Sequence, residues 1–198
     1  MSLKQDIIND ILLSKLFIDD RGNIYGPQYE PYLSYSTGLW QNPEEFASLI
    51  EWFADKKIRT FLNIGTFNGV SFKIISKYLK TYNPNVECIS IDPIDHKPEK
   101  VDGLIYYDKT SFDYLRMPFD LVFIDGDHRY DSVKEDFNHV GKFAKYCVFH
   151  DIRDKYIGAM SCGGVVRFWE EIKFKYRHHE FVCGENKVMG IGLLEIRQ

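Results

Sequence analysis

The chain has 198 residues, 44% of them hydrophobic and 27% charged, with a formal net charge of -4 at pH 7. That length suits one sizeable core in one domain, and the slight acidic excess argues against a general nucleic-acid or anionic-membrane surface. No apolar run approaches the ~20 residues of a membrane span, and acids interrupt the opening Met1-Ser2-Leu3-Lys4-Gln5-Asp6, so it starts no signal peptide. The cytoplasm is the expected compartment.

Residues 3–17 place Leu3, Ile7, Ile8, Ile11, Leu12 and Leu16 at helical spacing and read as an amphipathic helix. Residues 18–41 are rich in turns and aromatics, with Gly22, Gly26, Pro27, Pro31 and Gly38 among Tyr25, Tyr29, Tyr32, Tyr35 and Trp40. Two uses of that stretch stay open: a lid over a bound molecule, or plain packing of the N-terminal helices onto the rest. A second helix over 43–57 starts with Asn42 as N-cap, Pro43 at its first position and Glu44-Glu45 in its first turn. Residues 1–57 are thus expected to form a helical and lid region, and 58–198 the core of the same single domain.

From there strands and helices alternate. Strand 59–64, helix 68–80 and strand 86–91 precede a Pro-containing segment with a short helix near 97–101. Strand 103–107, a short helix at 111–116 and strand 119–124 follow. Helix 131–144, with Asp131 as N-cap, leads to strand 146–149 and helix 164–175. Two final strands, 179–183 and 187–196, join across Gly184-Glu185-Asn186. Alternation predicts a parallel, doubly wound sheet. The apolar runs Leu121-Val122-Phe123-Ile124 and Cys147-Val148-Phe149 suit strands buried on both faces. The last two strands are too close for a helical crossover and must pair as a hairpin.

Phe61-Leu62-Asn63-Ile64-Gly65-Thr66-Phe67-Asn68-Gly69-Val70-Ser71 runs a strand into two glycines and then a helix, and Ile89-Ser90-Ile91-Asp92 later ends a strand in an acid. That order holds a nucleoside in Rossmann-type half-sheets, with backbone packed close at the turn and the carboxylate on the ribose. A dinucleotide turn needs glycine where Phe67 stands, because a side chain there crowds the pyrophosphate. A ligand with a ribose and no phosphate, such as S-adenosylmethionine (SAM), tolerates it better. Two further strand ends are dense in polar residues: Asp125-Gly126-Asp127-His128-Arg129-Tyr130 and His150-Asp151. Ligands bind outside the carboxyl ends of such strands. Asp127 and Asp131 also suit capping or loop amides, whereas Asp125, at a buried strand tip, needs a cation, a donor or a ligand.

These motifs together resemble class I SAM-dependent methyltransferases, in particular the methyltransferase-24-type O-methyltransferases with an I-D-G-D-H-x-Y motif and a later H-D. The resemblance covers roughly residues 38–196 and includes Gly38-Leu39-Trp40-Gln41-Asn42-Pro43, Ile91-Asp92-Pro93, Phe149-His150-Asp151-Ile152 and Gly164-Val165-Val166-Arg167-Phe168-Trp169. It implies an α/β, Rossmann-like class I methyltransferase fold: a mostly parallel seven-stranded sheet, a C-terminal antiparallel hairpin and helices on both faces. It implies SAM as cofactor and a hydroxyl of a small molecule, a sugar or another hydroxylated metabolite, as methyl acceptor.

Carried over to this chain, the resemblance puts Gly65, Thr66, Phe67, Asn68 and Gly69 around the methionine end of SAM, with Ser71 opening the next helix beside it. Asp92 takes both ribose hydroxyls, with Pro93 next to it, and Lys109, Thr110 and Ser111 lie near the adenine. Asp125 lies between cofactor and acceptor. Asn63 stands where the family usually has an acid facing the cofactor ammonium, so only an amide oxygen is offered there. Metal-dependent relatives bind magnesium with an acid at the Asp125 position and a pair at the next strand end, here His150-Asp151. A histidine in that pair tilts the site toward manganese, iron or zinc, or toward no metal. Without a metal, a base must remove the acceptor proton; His128 is the first candidate and His150 the second.

Other readings remain open: a non-catalytic SAM- or nucleoside-binding protein, an NAD(P)-dependent oxidoreductase, and a metal-dependent hydrolase. Cys88 and Cys147 read as small buried hydrophobes, and Cys162 and Cys183 form no C-x-x-C pair with them. His178 and His179 would point to opposite faces of a strand. The basic run 173–179 reads as a solvated helix end. The N-terminal helix and the aromatics would suit a homodimer. No nucleic-acid or membrane partner is expected.

Overall fold

The computed structural model describes residues 2–13, 39–67, 69–95, 103–153, 163–183 and 189–197. The expectations for 14–38, for the short helix near 97–101, for Asn68, Cys162 and the Gly184-Glu185-Asn186 turn lie outside them. The elements are α1 (Leu3–Leu13), α2 (Pro43–Trp52), β1 (Thr60–Ile64), α3 (Val70–Tyr82), β2 (Glu87–Ile91), β3 (Leu104–Tyr106), β4 (Leu121–Ile124), α4 (Tyr130–His139), β5 (Tyr146–His150), α5 (Gly163–Ile172), β6 (Arg177–Phe181) and β7 (Ile191–Glu195). Short 3-10 turns occupy Ser111–Tyr114, Gly141–Phe143 and Lys173–Lys175.

The seven strands form one sheet in the order β3-β2-β1-β4-β5-β7-β6. The first five in space are parallel, and β7 inserts antiparallel between β5 and β6. The chain moves outward from β1 to β2 and β3, returns across β1 to β4, and then moves outward the other way. Crossovers between parallel strands are right-handed, so reversing direction sends the next helices to the opposite face. Hence α3 covers one face with α1 and α2, burying Phe72, Ile75 and Leu79 with Phe61, Phe123 and Val148. Helices α4 and α5 cover the other, where Phe137, Phe168 and Trp169 meet Val122, Cys147 and Phe149. Every residue of β4 and β5 is buried, as their apolar runs require.

Several boundaries differ from the sequence reading. Helix 43–57 ends at Trp52 and 164–175 at Ile172, each running on as a tighter turn or loop. Asn42 does cap α2, accepting from Glu44 N and Glu45 N. Asp131 does not cap α4: the N-cap is Arg129, and the carboxylate serving that turn is Asp127, which accepts from Arg129 N at 3.1 Å and Ser132 Oγ at 2.8 Å. The side chains of His178 and His179 do part, one toward Trp169 and the other toward Trp52. Cys88 and Cys147 are buried and form no disulfide. Among the described residues, no helix is long and apolar enough to cross a membrane.

Two glycines are fixed by backbone contact. Gly65 has φ +92°, and a Cβ there would stand 2.1 Å from the carbonyl oxygen of Asp125. The ends of β1 and β4 therefore touch backbone to backbone. Gly164, at the start of α5, leaves room for the loop that carries His128; a Cβ would meet the His128 carbonyl oxygen at 2.3 Å. Gly65→Ala combines an unfavourable φ with an immovable neighbour, for a loss of about 3 kcal/mol. The expected fall in Tm is roughly 6–12 °C, read by differential scanning calorimetry; an unchanged Tm would disprove the contact.

Candidate active site

The reversal of strand order between β1 and β4 opens a crevice at the carboxyl ends of the strands, the usual ligand position in such sheets. A cavity of about 660 Å³ lies there. Its walls include Gly65, Thr66, Phe67, Ser71, Asp92, Pro93, Thr110, Ser111, Asp125, His128, His150 and Asp151. One pocket thus gathers most of the residues singled out from the sequence.

The β1 turn is tied to β2 through Asp92. Its Oδ2 accepts from Thr66 N at 3.0 Å and Phe67 N at 3.1 Å, and its Oδ1 accepts from Ile94 N at 2.9 Å. Phe67 holds φ +45°, uncommon for a bulky residue, in a turn pinned by that carboxylate. The carboxylate at which ribose hydroxyls are expected already binds the loop it faces. Asn63 departs further from expectation. It is fully buried and does not line the cavity; its Nδ2 donates to Gly65 O and Ser90 Oγ, both at 2.9 Å. Gly69 is also off the wall, acting as the left-handed N-cap of α3.

The β4 and β5 ends bring two carboxylates and two histidines together. His150 Nδ1 lies 3.2 Å from both Asp125 Oδ1 and Asp151 Oδ2. His128 Nε2 lies 3.6 Å from the same two oxygens. Gln41, just before α2, donates from Nε2 to Asp125 Oδ2 at 2.6 Å. Burial alone would raise the Asp125 carboxyl, but the His150 charge and the bonds to His128 and His150 outweigh it and hold it below the carboxylate range. For both histidines burial acts to lower the pKa, and the facing carboxylates more than reverse it. The cluster is self-neutralising, which is how a buried carboxylate pair is tolerated.

Asp125, His128 and Asp151 each offer a ligand atom within 4.8 Å of one another, a donor set that fits a divalent cation. His150, which the sequence reading placed in that set, sits differently. Its Nδ1 points between the two carboxylates, and its Nε2 is buried without a hydrogen-bond partner.

Sequence reasoning missed the far wall. Ser132, Glu135, Asp136 and His139 of α4 all line the cavity, beside Ser111 and Phe112, which touch His139. Their spacing of 0, 3, 4 and 7 puts them on one helical face, a polar stripe that the residue pattern alone displays. Ser111 Oγ lies 3.0 Å from His139 Nδ1.

Residues 62–152 match the family model described as a methyltransferase domain. An uncharacterized protein of Acanthamoeba polyphaga mimivirus is 32% identical over 124 residues; that match spans 50% of this chain and about half, 54%, of the relative. The O-methyltransferase TomG of Streptomyces achromogenes, involved in tomaymycin synthesis and solved with SAM, is 17% identical, with 100% of both chains covered and a TM-score of 0.54. The Bacillus cereus O-methyltransferase, solved with S-adenosylhomocysteine, is 13% identical over 96% of this chain and 90% of that one, with a TM-score of 0.56. These structures share the class I methyltransferase fold with this chain.

Asp136 provides a pH test of the far wall. Burial pushes its carboxyl up to about 6, against the Ser111 hydroxyl and His139, which lower it. A raised carboxyl pKa favours the protonated form in the fold. Its stabilising effect is complete below the ordinary carboxylate pKa and is lost as pH rises through about 6. Asp136→Asn should therefore melt higher than the wild type at pH 8, with the gap closing by about pH 4, as followed by thermal melts. Equal melting at pH 8 would remove the burial argument.

Proposed function

We propose that this chain is a SAM-dependent O-methyltransferase acting on a hydroxyl of a small molecule. One observation carries the reading: the Gly65 turn with its Asp92 anchor and the Asp125–His128–Asp151 cluster line the same cavity. The first is a nucleoside seat and the second is proton-handling machinery, side by side. The fold and the match of residues 62–152 to a methyltransferase-domain model support the same assignment.

In this proposal Gly65, Thr66, Phe67 and Ser71 cradle the methionine end, Asp92 and Pro93 the ribose, and Thr110 and Ser111 the adenine. SAM when bound supplies an electrophilic methyl group with a good leaving group. The chain's own task is then to align an acceptor oxygen and take its proton. His128 is placed for that: it lines the cavity, is 35% exposed, and is oriented by Asp125 and Asp151. Asp125, Asp151 and His128 would also hold a divalent cation, which acidifies a coordinated hydroxyl. His150 then acts from behind, holding the two carboxylates apart and in register. The cavity is large enough for both a cofactor and a small acceptor.

Isothermal titration with S-adenosylhomocysteine and a turnover assay over hydroxylated acceptors test the reading together. Asp92→Ala should abolish binding, because it removes the ribose partner and loosens the turn. His128→Ala should keep binding while turnover falls by about 10²–10⁴. Normal turnover in that variant would remove His128 from the chemistry. Treatment with EDTA followed by added manganese or zinc decides the cation: activity lost and restored supports it, and unchanged activity excludes it.

A further inference from the structure

The polar face of α4 lines the cavity without a task in methyl transfer. The strand order β3-β2-β1-β4-β5 puts the Asp125 cluster on one side of the cavity and the residues after β3 on the other, with Asp92 at the tip of β2 between them. A molecule whose reacting group lies at the cluster and whose ribose lies at Asp92 must extend its base toward the β3 side. The chain returns there as Ser111 and Phe112, and α4 is fastened to it. Ser111 Oγ lies 3.0 Å from His139 Nδ1, the Phe112 and His139 rings meet edge to face at 5.6 Å, and Arg116 N donates to His139 O at 2.7 Å.

Two features of that corner suit an amino-bearing base. Ile94, just past Asp92, and Phe112 line the cavity while 59% and 66% exposed, apolar surface that a flat base can cover. Asp136 also lines it, half-buried, holding the Ser111 hydroxyl, with a carboxyl that burial pushes up to about 6. A desolvated titratable group in a cleft marks a binding position. Above that pH the carboxylate is ionised and only accepts, so Ser111 spends its hydrogen on Asp136 and takes one from His139 Nδ1. Ser111 is thereby fully engaged, whereas the two oxygens of a carboxylate accept about four bonds, leaving room for a ligand donor. Glu135, the other acid of the face, is exposed and hydrated. We propose that Asp136 accepts from the exocyclic amine of the cofactor's nucleobase and makes the site selective for a 6-aminopurine. This rests on the SAM reading above and adds to it a residue from within α4, away from every strand end.

The test compares S-adenosylhomocysteine with its 6-deamino analogue, in which hydrogen replaces the amine of the base, by isothermal titration at pH 8. Wild type should bind S-adenosylhomocysteine about 10- to 100-fold more tightly than the analogue, the worth of a hydrogen bond to a charged group. Asp136→Leu should bind the two alike, with the analogue no weaker than in wild type, which also shows that the variant is folded. Asp136→Asn, whose amide oxygen still accepts, should keep most of the preference. If Asp136→Leu fails to fold, Asp136→Ala should show the same selective loss. A preference that survives Asp136→Leu, or equal weakening of both ligands, overturns the assignment. Wild type that binds neither ligand sinks the cofactor reading and this assignment together, whereas wild type that binds both alike sinks only the role of Asp136.

Discussion

The site depends on one backbone contact, the seating of Gly65 against the Asp125 carbonyl. It brings the nucleoside-type turn of β1 and the charged tip of β4 as close as two chains can come. One hydrogen bond locks the approach, Asp125 N donating to Ile64 O at 2.9 Å, while Gly65 N holds the turn to β2 by donating to Ile91 O at 2.9 Å. Any side chain at position 65 would wedge the two halves of the crevice apart. The strand order supplies the crevice, and this contact sets its width.

Around that contact the charges are arranged to hold themselves. Two acids at adjacent strand ends would repel if left alone in a poorly solvated place. The His150 ring between them and the His128 ring across the opening supply the compensating charge. Asp127, by contrast, commits its carboxylate to Arg129 and Ser132, which holds it at about 2 and makes it part of the loop's frame. Neighbouring acids in one motif thus have different physical roles. Only burial and partners, not residue type, separate them.

Much of this is legible in the chain itself. The strand–turn–helix–strand–acid order predicts β1, α3, β2 and the position of Asp92, because hydrophobic period and glycine placement are local properties. The hairpin follows from the short spacing between the last two strands. The N-cap of α4 escapes a sequence reading because Asp127 and Asp131 both look like caps, whereas the cap position falls on Arg129 and Asp127 serves the turn by accepting from Arg129 N and Ser132 Oγ. The orientation of Asn63 is equally hidden: whether it faces cavity or core is settled by Ser90, a residue on another strand. The polar face of α4 is visible as spacing, but it gains meaning only from Ser111 standing beside it, a pairing that the sequence does not display.

Glu45 adds a consequence for how the molecule assembles. This fully buried carboxylate accepts from Cys183 N at 2.9 Å and Gly190 N at 3.0 Å, and the 189–190 backbone in turn pairs with Ile152 and Arg153, next to Asp151. The start of α2 therefore grips the last two strands across a sequence separation of 145 residues, while Gln41 reaches Asp125 across 84. Contacts of such range close late in folding, since the loop entropy must be overcome first. The pocket is a product of the finished chain, so partly folded forms would hold the Rossmann strands yet lack a competent cleft, and a ligand would act as a selector for the fully assembled molecule.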